Sequence, residues 1–202
     1  MTGIILTTFL IVIFFATGYL IVLDSVVRAR IIMDEALVKV AERLSERLNI
    51  IRQMVLRTDE PLLQEKLNYI VQISSKCESI YKMLENGNYS NYTLKELSDT
   101  GNCLSKALSG CLAYPIPASD NSKLEFFLTL KNEISLIDKE IQSSIFYLNK
   151  TINEYNHLIT TFPGFLAALI KRFKPIDTLH LDINNFITCP LPSSPSLVDQ
   201  AG

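Results

Sequence analysis

Residues 33–55 read MDEALVKVAERLSERLNIIRQMV, and the spacing of their apolar side chains decides the fold. These side chains recur at steps of three and four, at Met33, Leu37, Val40, Leu44, Leu48, Ile51 and Val55. That period places them on one face of an α-helix, while charged residues fill the opposite face. The stretch therefore predicts an amphipathic helix that packs one side into a bundle and exposes the other.

This helix is predicted to continue backwards through the preceding apolar block to about Ile4, because neither glycine nor proline separates the two between residues 19 and 60. Residues 1–23 read MTGIILTTFLIVIFFATGYLIVL and carry no charged side chain. About 20 apolar residues suffice to cross the hydrocarbon core of a bilayer. We therefore expect a transmembrane anchor that contacts the lipid bilayer through residues 4–23 and runs on as one helix to about Leu56.

A cleaved signal peptide is the alternative interpretation of the same block. It requires a basic start, a shorter apolar core and a small-residue cleavage site. The triplet Ala16-Thr17-Gly18 matches such a site poorly, so we favour the uncleaved anchor. The cations that follow, Arg28, Arg30 and Lys39, favour the cytoplasmic side. The expectation is a single-pass protein of the cell membrane with its N-terminus outside and its domain in the cytoplasm.

Further helices are predicted wherever apolar periodicity runs between turn signals. A turn at Thr58–Pro61 separates the first helix from a second one, which ends at Asn86-Gly87-Asn88. Beyond it we expect a helix from about Leu94 to Leu112, the longest one from Asn121 or Ser122 to about Thr161, and a short one at Phe165–Arg172.

The longest of these helices has the clearest core face. We predict that this face comprises Phe127, Ile134, Ile137, Ile141, Ile145, Leu148, Ile152, Tyr155 and Ile159. From Ile141 onward the steps alternate between four and three, which is typical of coiled-coil packing. The expected fold class is all-α, with a single N-terminal transmembrane helix that continues into an elongated antiparallel helical bundle.

The C-terminal part differs in composition from the bundle. Residues 177–202 contain three Asp, three Pro and no Lys or Arg, and no apolar period survives. Such composition is typical of a disordered tail. We therefore divide the chain into an anchor at 1–23, a helical bundle domain at 24–175 and a disordered tail at 176–202.

The overall composition excludes several classes of protein. With a net charge of −2 there is no basic excess, so no nucleic-acid partner is expected. The 4 cysteines match no metal motif and are too few for a disulfide scaffold, so buried free thiols are the default interpretation. No glycine-rich phosphate loop occurs, and we expect neither a cofactor nor a small-molecule substrate.

The residues that most often carry catalysis are not grouped in this sequence. His157 on the longest helix and His180 in the tail lie apart from any cluster of cysteines and carboxylates. The acidic pair in Asp138-Lys139-Glu140 lacks the Glu-x-x-His partner of a di-metal bundle site and is interpreted as a solvated charged face. We therefore expect no catalytic, cofactor-binding or metal-binding residue, and no enzyme.

Arg47 is a charged residue with two open interpretations, because it stands beside the apolar face formed by Leu44 and Leu48. It contacts either an anion or peptide, or a carboxylate within the bundle, for which Glu133 and Asp138 are the candidates. We favour the internal pair.

Two aromatic positions on the longest helix are also informative. Tyr155 lies on the predicted core face, so we expect a buried ring whose hydroxyl meets a polar partner. The run Ile145-Phe146-Tyr147 covers three successive directions of the helix, so at least one apolar side chain must lie off the core face.

Two series of short motifs stand on the two long helices. The first comprises Glu35-Ala36, Leu44, Arg47, Ile50, Ile51 and Val55. The second comprises Tyr114-Pro115, Phe127, Leu130, Glu133-Ile134, Ile141, Asn149, Ile152, Tyr155-Asn156, Ile159, Thr161-Phe162-Pro163 and Phe173-Lys174-Pro175. With the anchor, these series resemble the LemA family over about 150 residues. The chain departs from the family pattern at Glu46, where that family tends to have arginine, and resembles a divergent member.

The resemblance implies a bacterial, single-pass membrane protein with a helical cytoplasmic domain and no established enzymatic activity. We therefore expect a membrane-anchored interaction or scaffold protein, with membrane organisation as the process that the resemblance suggests. Its partner would be another protein, or a second copy, bound through the bundle surface. The alternative function is a signal-relay or sensor module that works through the continuous first helix.

Overall fold

The computed structural model describes residues 2–56, 64–87, 89–112 and 121–181. Within these ranges the chain forms helices and no strands, which confirms the all-α fold class. The helices are α1 (Thr2–Leu56), α2 (Gln64–Glu85), α3 (Asn91–Leu112), α4 (Asn121–Thr160) and α5 (Gly164–Lys171).

The continuous first helix is confirmed, since α1 runs without interruption from Thr2 to Leu56. At 1.5 Å per residue it is roughly 80 Å long. Its N-terminal part is long and apolar enough to cross a membrane, with a mean hydropathy of 2.5 in the most apolar window. None of that window is buried in the fold, unlike the core helix of a soluble protein.

The C-terminal part of α1 is the centre of an antiparallel bundle. Arg47 on α1 lies opposite Asp138 on α4, and Arg30 lies opposite Tyr155, so the two long helices run in opposite directions. Helix α2 packs on α1 and on α3, and α5 packs on α1 and α4. The bundle is therefore built around the same helix that carries the apolar N-terminal block.

The side chains predicted to form the core faces of α1 and α4 are buried, with one difference at the end of α1. On α1 the predicted residues are buried up to Ile51, after which Met54 takes the core position and Val55 is half-buried. On α4 the predicted residues from Ile134 to Ile159 are all buried, whereas the side chain of Phe127 lies outside the described part. Full burial of each such apolar side chain contributes about 1.5–3 kcal/mol, so these two faces are a major source of the stability of the bundle.

The helix ends differ from the predictions by a few residues. Helix α2 ends as predicted before Gly87, whose φ of +70° suits a residue without a Cβ. Helix α3 begins at Asn91 rather than near Leu94, because the Ser90 hydroxyl accepts a hydrogen bond from the Thr93 N–H (3.2 Å) and so caps the first turn. The predicted turn at Thr58–Pro61 lies outside the described residues.

The predicted start of the tail at residue 176 needs correction. The chain remains ordered through residue 181 as an extended segment, in which Ile176 and Leu179 are buried against the bundle. Helical periodicity is absent there because the segment is not helical, although it still packs. The rest of the predicted tail, residues 182–202, lies outside the described part of the chain.

Candidate functional site

The interior of the bundle holds an ion pair between its two long helices. The guanidinium of Arg47 is 2% exposed, and its Nε lies 2.7 Å from Oδ1 of Asp138. Its Nη1 donates to the hydroxyl of Ser105 on α3 (2.9 Å), which in turn donates to the Gly101 carbonyl (2.9 Å). This arrangement confirms the internal pair and selects Asp138 as the partner, whereas the other candidate, Glu133, is exposed.

The acidic run on α4 is therefore only in part a solvated face. Burial raises the pKa of Asp138, and the neighbouring Arg47 holds part of that rise back. Glu140 lies on the surface 3.2 Å from Arg43, and Lys139 is exposed. The interpretation of this run as solvated is wrong for Asp138, because a helix that carries alternate charges can still turn one of them inward toward a buried cation.

Two of the cysteines, Cys77 and Cys111, form no disulfide. Cys77 and Cys111 are buried, as predicted, and Cys103 is half-buried, while Cys189 lies outside the described residues. Burial raises the pKa of the Cys77 thiol to about 11. At neutral pH this thiol is therefore protonated and unreactive, since the thiolate is the nucleophilic form.

A second polar cluster lies at the end of the bundle nearest the apolar block. The guanidinium of Arg30 lies over the rings of Tyr89 and Tyr155, 5.2 and 5.5 Å from their centroids. It also lies 3.2 Å from the Asp34 carboxylate, which accepts a hydrogen bond from the Tyr89 hydroxyl. Burial first, and then this bond to a carboxylate, raise the pKa of Tyr89. The cluster joins α1, α4 and the loop that precedes α3.

Tyr155 is fully buried, and its hydroxyl donates to the carbonyl of Lys174 (3.3 Å), which confirms the predicted core ring with a polar partner. The next residue, Asn156, donates from Nδ2 to the Ile176 carbonyl (2.7 Å) and accepts from the Ile176 N–H (3.0 Å). The Tyr155-Asn156 motif thus binds the chain at the Phe173-Lys174-Pro175 motif and directly after it.

Asn149 repeats this contact two helical turns away. Its Nδ2 donates to the Leu179 carbonyl (2.9 Å), and its Oδ1 accepts from the Leu179 N–H (2.8 Å). Asn149 and Asn156 are seven helical residues apart, a rise of about 10.5 Å. Their partners, Ile176 and Leu179, are three residues apart, which is about 10 Å in an extended chain. The two distances agree, so each asparagine can bind one of the two residues. We call Asn149 and Asn156 the asparagine pair. The two asparagines stand seven residues apart on one side of α4. That spacing is the feature of the sequence from which a packed segment at 176–181 could have been predicted.

Replacing Asn156 with alanine is expected to release this segment. The change leaves the N–H and carbonyl of Ile176 without their partners, at a cost of about 1–3 kcal/mol. Hydrogen exchange at Ile176 and Leu179 should accelerate, while exchange in the middle of α4 stays slow. Asn153→Ala, an exposed asparagine on the same helix, is the matched control. Equal exchange in both variants would contradict the role of the pair.

The remaining sequence candidates lie on the surface. His157 is exposed near the end of α4, and His180 is exposed with its Nε2 3.0 Å from the Thr178 hydroxyl. Ile145 is buried, whereas Phe146 is 76% exposed and Tyr147 about half exposed, so apolar side chains do lie off the core face. Among the described residues no group of three histidines, cysteines or carboxylates is arranged to hold a metal ion.

A protein-family model matches most of this chain. The model of the LemA family matches residues 36–186, about three quarters of the chain, including the part of α1 that carries Arg47, the whole of α4 and the segment 176–181. No curated protein and no solved structure matches. Because the family model covers well over half of the sequence and includes the Tyr155-Asn156 and Phe173-Lys174-Pro175 motifs that meet in the fold, the chain belongs to the LemA family.

Proposed function

We propose that the protein is a membrane-anchored helical-bundle scaffold without catalytic activity. Its α1 would hold the bundle at the cytoplasmic face of the cell membrane, and the bundle surface would bind a protein partner or a second copy of the chain. The interior supports a structural function, because its buried cation, Arg47, is paired with Asp138 inside the bundle.

The continuity of α1 is the observation that carries the proposal. One helix contains both the exposed apolar block and the buried face of the bundle, and no glycine or proline interrupts it from residue 19 to its end. A bilayer would cover the exposed block, which otherwise leaves 11 large apolar side chains between residues 5 and 21 in water. The bundle would then project from the membrane on a stiff support.

Positive charge at the base of the bundle supports the cytoplasmic orientation. Five cations lie at the end where α5 packs on α1: Arg28, Arg30, Lys171, Arg172 and Lys174. Cytoplasmic segments next to a span carry such an excess of lysine and arginine. A reporter domain fused after Gly202 that is active only outside the cytoplasm would overturn this orientation.

The outer side of α4 is the surface that we assign to the partner. Leu128, Leu136, Phe146 and Tyr147 are exposed there. Successive residues of an α-helix are rotated by about 100°, and by this measure the four side chains lie within about a quarter of the circumference of α4. They therefore form one surface. Aromatic side chains that are held on a rigid helix are common anchors of protein interfaces.

Photo-crosslinking in cells tests the proposal. A photoreactive phenylalanine analogue at position 146 of the full chain is expected to give one adduct of constant mass, either with a partner or with a second copy. The matched control places the analogue at Glu133, an exposed position on another side of α4. A yield at 146 no greater than at 133 would overturn the scaffold function at this surface.

A further inference from the structure

Helix α5 packs with its small residues and exposes its large apolar ones. Gly164, Ala167 and Ala168 are buried against the bundle. Phe165, Leu166, Leu169 and Ile170 are exposed, and so is Phe162 just before the helix (82%). An ordinary surface helix of a soluble protein has the opposite arrangement, with its large apolar side chains toward the core.

The position of α5 suggests what covers this face. A Cβ on Gly164 would lie 3.8 Å from the Val26 side chain, three residues beyond the predicted span at 4–23. On the same face of α1, Tyr19 and Val22 are half-buried, whereas the described side chains before Tyr19 are exposed. Three residues of helix rise about 4.5 Å, so α5 lies beside the point where α1 would leave the hydrocarbon.

The charges around α5 fit an anionic surface. From Thr161 to Ile176 the chain contains three cations, Lys171, Arg172 and Lys174, and no aspartate or glutamate. All three side chains are exposed. A short helix with an apolar face and adjacent cations binds at the boundary between headgroups and acyl chains, typically 5–10 Å deep. Cations beside such a helix are attracted to the negative headgroups of anionic lipid.

We infer that α5, together with Phe162, inserts into the membrane interface on the side of the bundle, with Lys171, Arg172 and Lys174 among anionic headgroups. The inference rests on the proposed membrane anchoring by α1. It adds a second contact with lipid, which fixes the tilt of the bundle because α5 is also packed on α1 and α4. The ligand is the surface of the bilayer. Its anionic headgroups would contact the three cations, and its acyl chains would contact the apolar side chains of α5.

Tryptophan fluorescence offers a direct test, because the chain contains no tryptophan of its own. Leu169→Trp places a single reporter on the exposed face of α5, where Leu169 is 67% exposed and a larger ring fits. Phe14→Trp reports on the span, and Phe146→Trp reports on the bundle surface roughly 20 Å away from the end of α4. Each full-length variant is reconstituted in phosphatidylglycerol vesicles with brominated acyl chains, which quench tryptophan on contact.

The expected result is a loss of emission for Leu169→Trp and Phe14→Trp, and no loss for Phe146→Trp. Loss at position 14 alone would overturn the inference while leaving the anchoring by α1 intact. No loss at position 14 would instead overturn the anchoring. A reporter at 169 that is shielded both from brominated lipid and from aqueous iodide would show that a second copy covers α5, which also overturns the inference.

A charge variant tests the lipid chemistry separately. In the Leu169→Trp chain, Lys171→Gln, Arg172→Gln and Lys174→Gln together should reduce the quenching in phosphatidylglycerol vesicles and leave it unchanged in phosphatidylcholine vesicles. The control carries Lys131→Gln and Lys139→Gln, two exposed lysines of α4. An equal effect of both variants would overturn the assignment of the three cations to anionic headgroups.

Discussion

Asp138→Leu is expected to lower the free energy of unfolding of the bundle by about 3–5 kcal/mol. The change leaves the Arg47 guanidinium, 2% exposed, without its counter-ion. Arginine does not lose its proton at accessible pH, so the charge stays in the interior. Ser105 still accepts one hydrogen bond from it, which compensates for only part of the loss.

Arg47→Met is expected to cost less than Asp138→Leu, about 1–3 kcal/mol. The carboxylate that remains is 16% exposed, and it can take up a proton. Burial already raises the pKa of Asp138, and the removal of Arg47 removes the influence that lowers it. A raised pKa in the folded state means that the folded protein binds the proton more tightly than the unfolded chain does. The stability of this variant should therefore fall as the pH rises above the ordinary aspartate range near 4.

Urea unfolding of the full chain in detergent micelles, followed by circular dichroism, measures both variants. At pH 7 the midpoint should decrease most for Asp138→Leu, and between pH 7 and 5 only Arg47→Met should regain stability. The double variant Arg47→Met with Asp138→Leu is the control, because it removes both charges and should recover most of the loss. If both single variants lost the same stability and neither responded to pH, the expected difference between an unpaired arginine and an unpaired aspartate would be contradicted.

The choice of Asp138 over Glu133 shows what the sequence leaves open. Periodicity predicted that both long helices bury one face, because burial of apolar side chains is what creates that period. Periodicity did not determine how far α4 is shifted along α1. Glu133, five residues before Asp138, was therefore an equally good candidate for the partner of Arg47. Packing of the buried faces selects the register, and the ion pair follows from it.

The ordered segment at 176–181 and the exposed face of α5 were not predicted, for two different reasons. Asn149 and Asn156 hold the segment through its backbone, and backbone hydrogen bonds leave no mark on the sequence of the residue that is held. On α5 the apolar residues were recognised, but hydrophobicity indicates only that a side chain avoids water. It does not say whether protein or lipid covers it, and here the small residues face the protein.

Gly164→Ala is the second change with a large expected effect, because Gly164 is where α5 meets α4. A Cβ at this position would overlap the backbone carbonyl of Leu158, which cannot rotate away as a flexible side chain would. Either α5 or the last turn of α4 must shift, and overpacking of this kind costs about 1–3 kcal/mol. The shift also loosens the contact between α5 and Val26, so hydrogen exchange should accelerate across α5.

Gly110→Ala provides a control of opposite sign. Gly110 also lies in a helix, near the end of α3, but a Cβ there has open space around it. Alanine should therefore stabilise the protein by about 0.5–1 kcal/mol, since it reduces the freedom of the unfolded chain without a clash. Urea unfolding of both variants would show a lower midpoint for Gly164→Ala and a higher one for Gly110→Ala. A midpoint for Gly164→Ala at or above that of the native chain would mean that α5 does not approach α4 closely, and the base of the bundle would then lack the rigid link through which α5 sets its tilt.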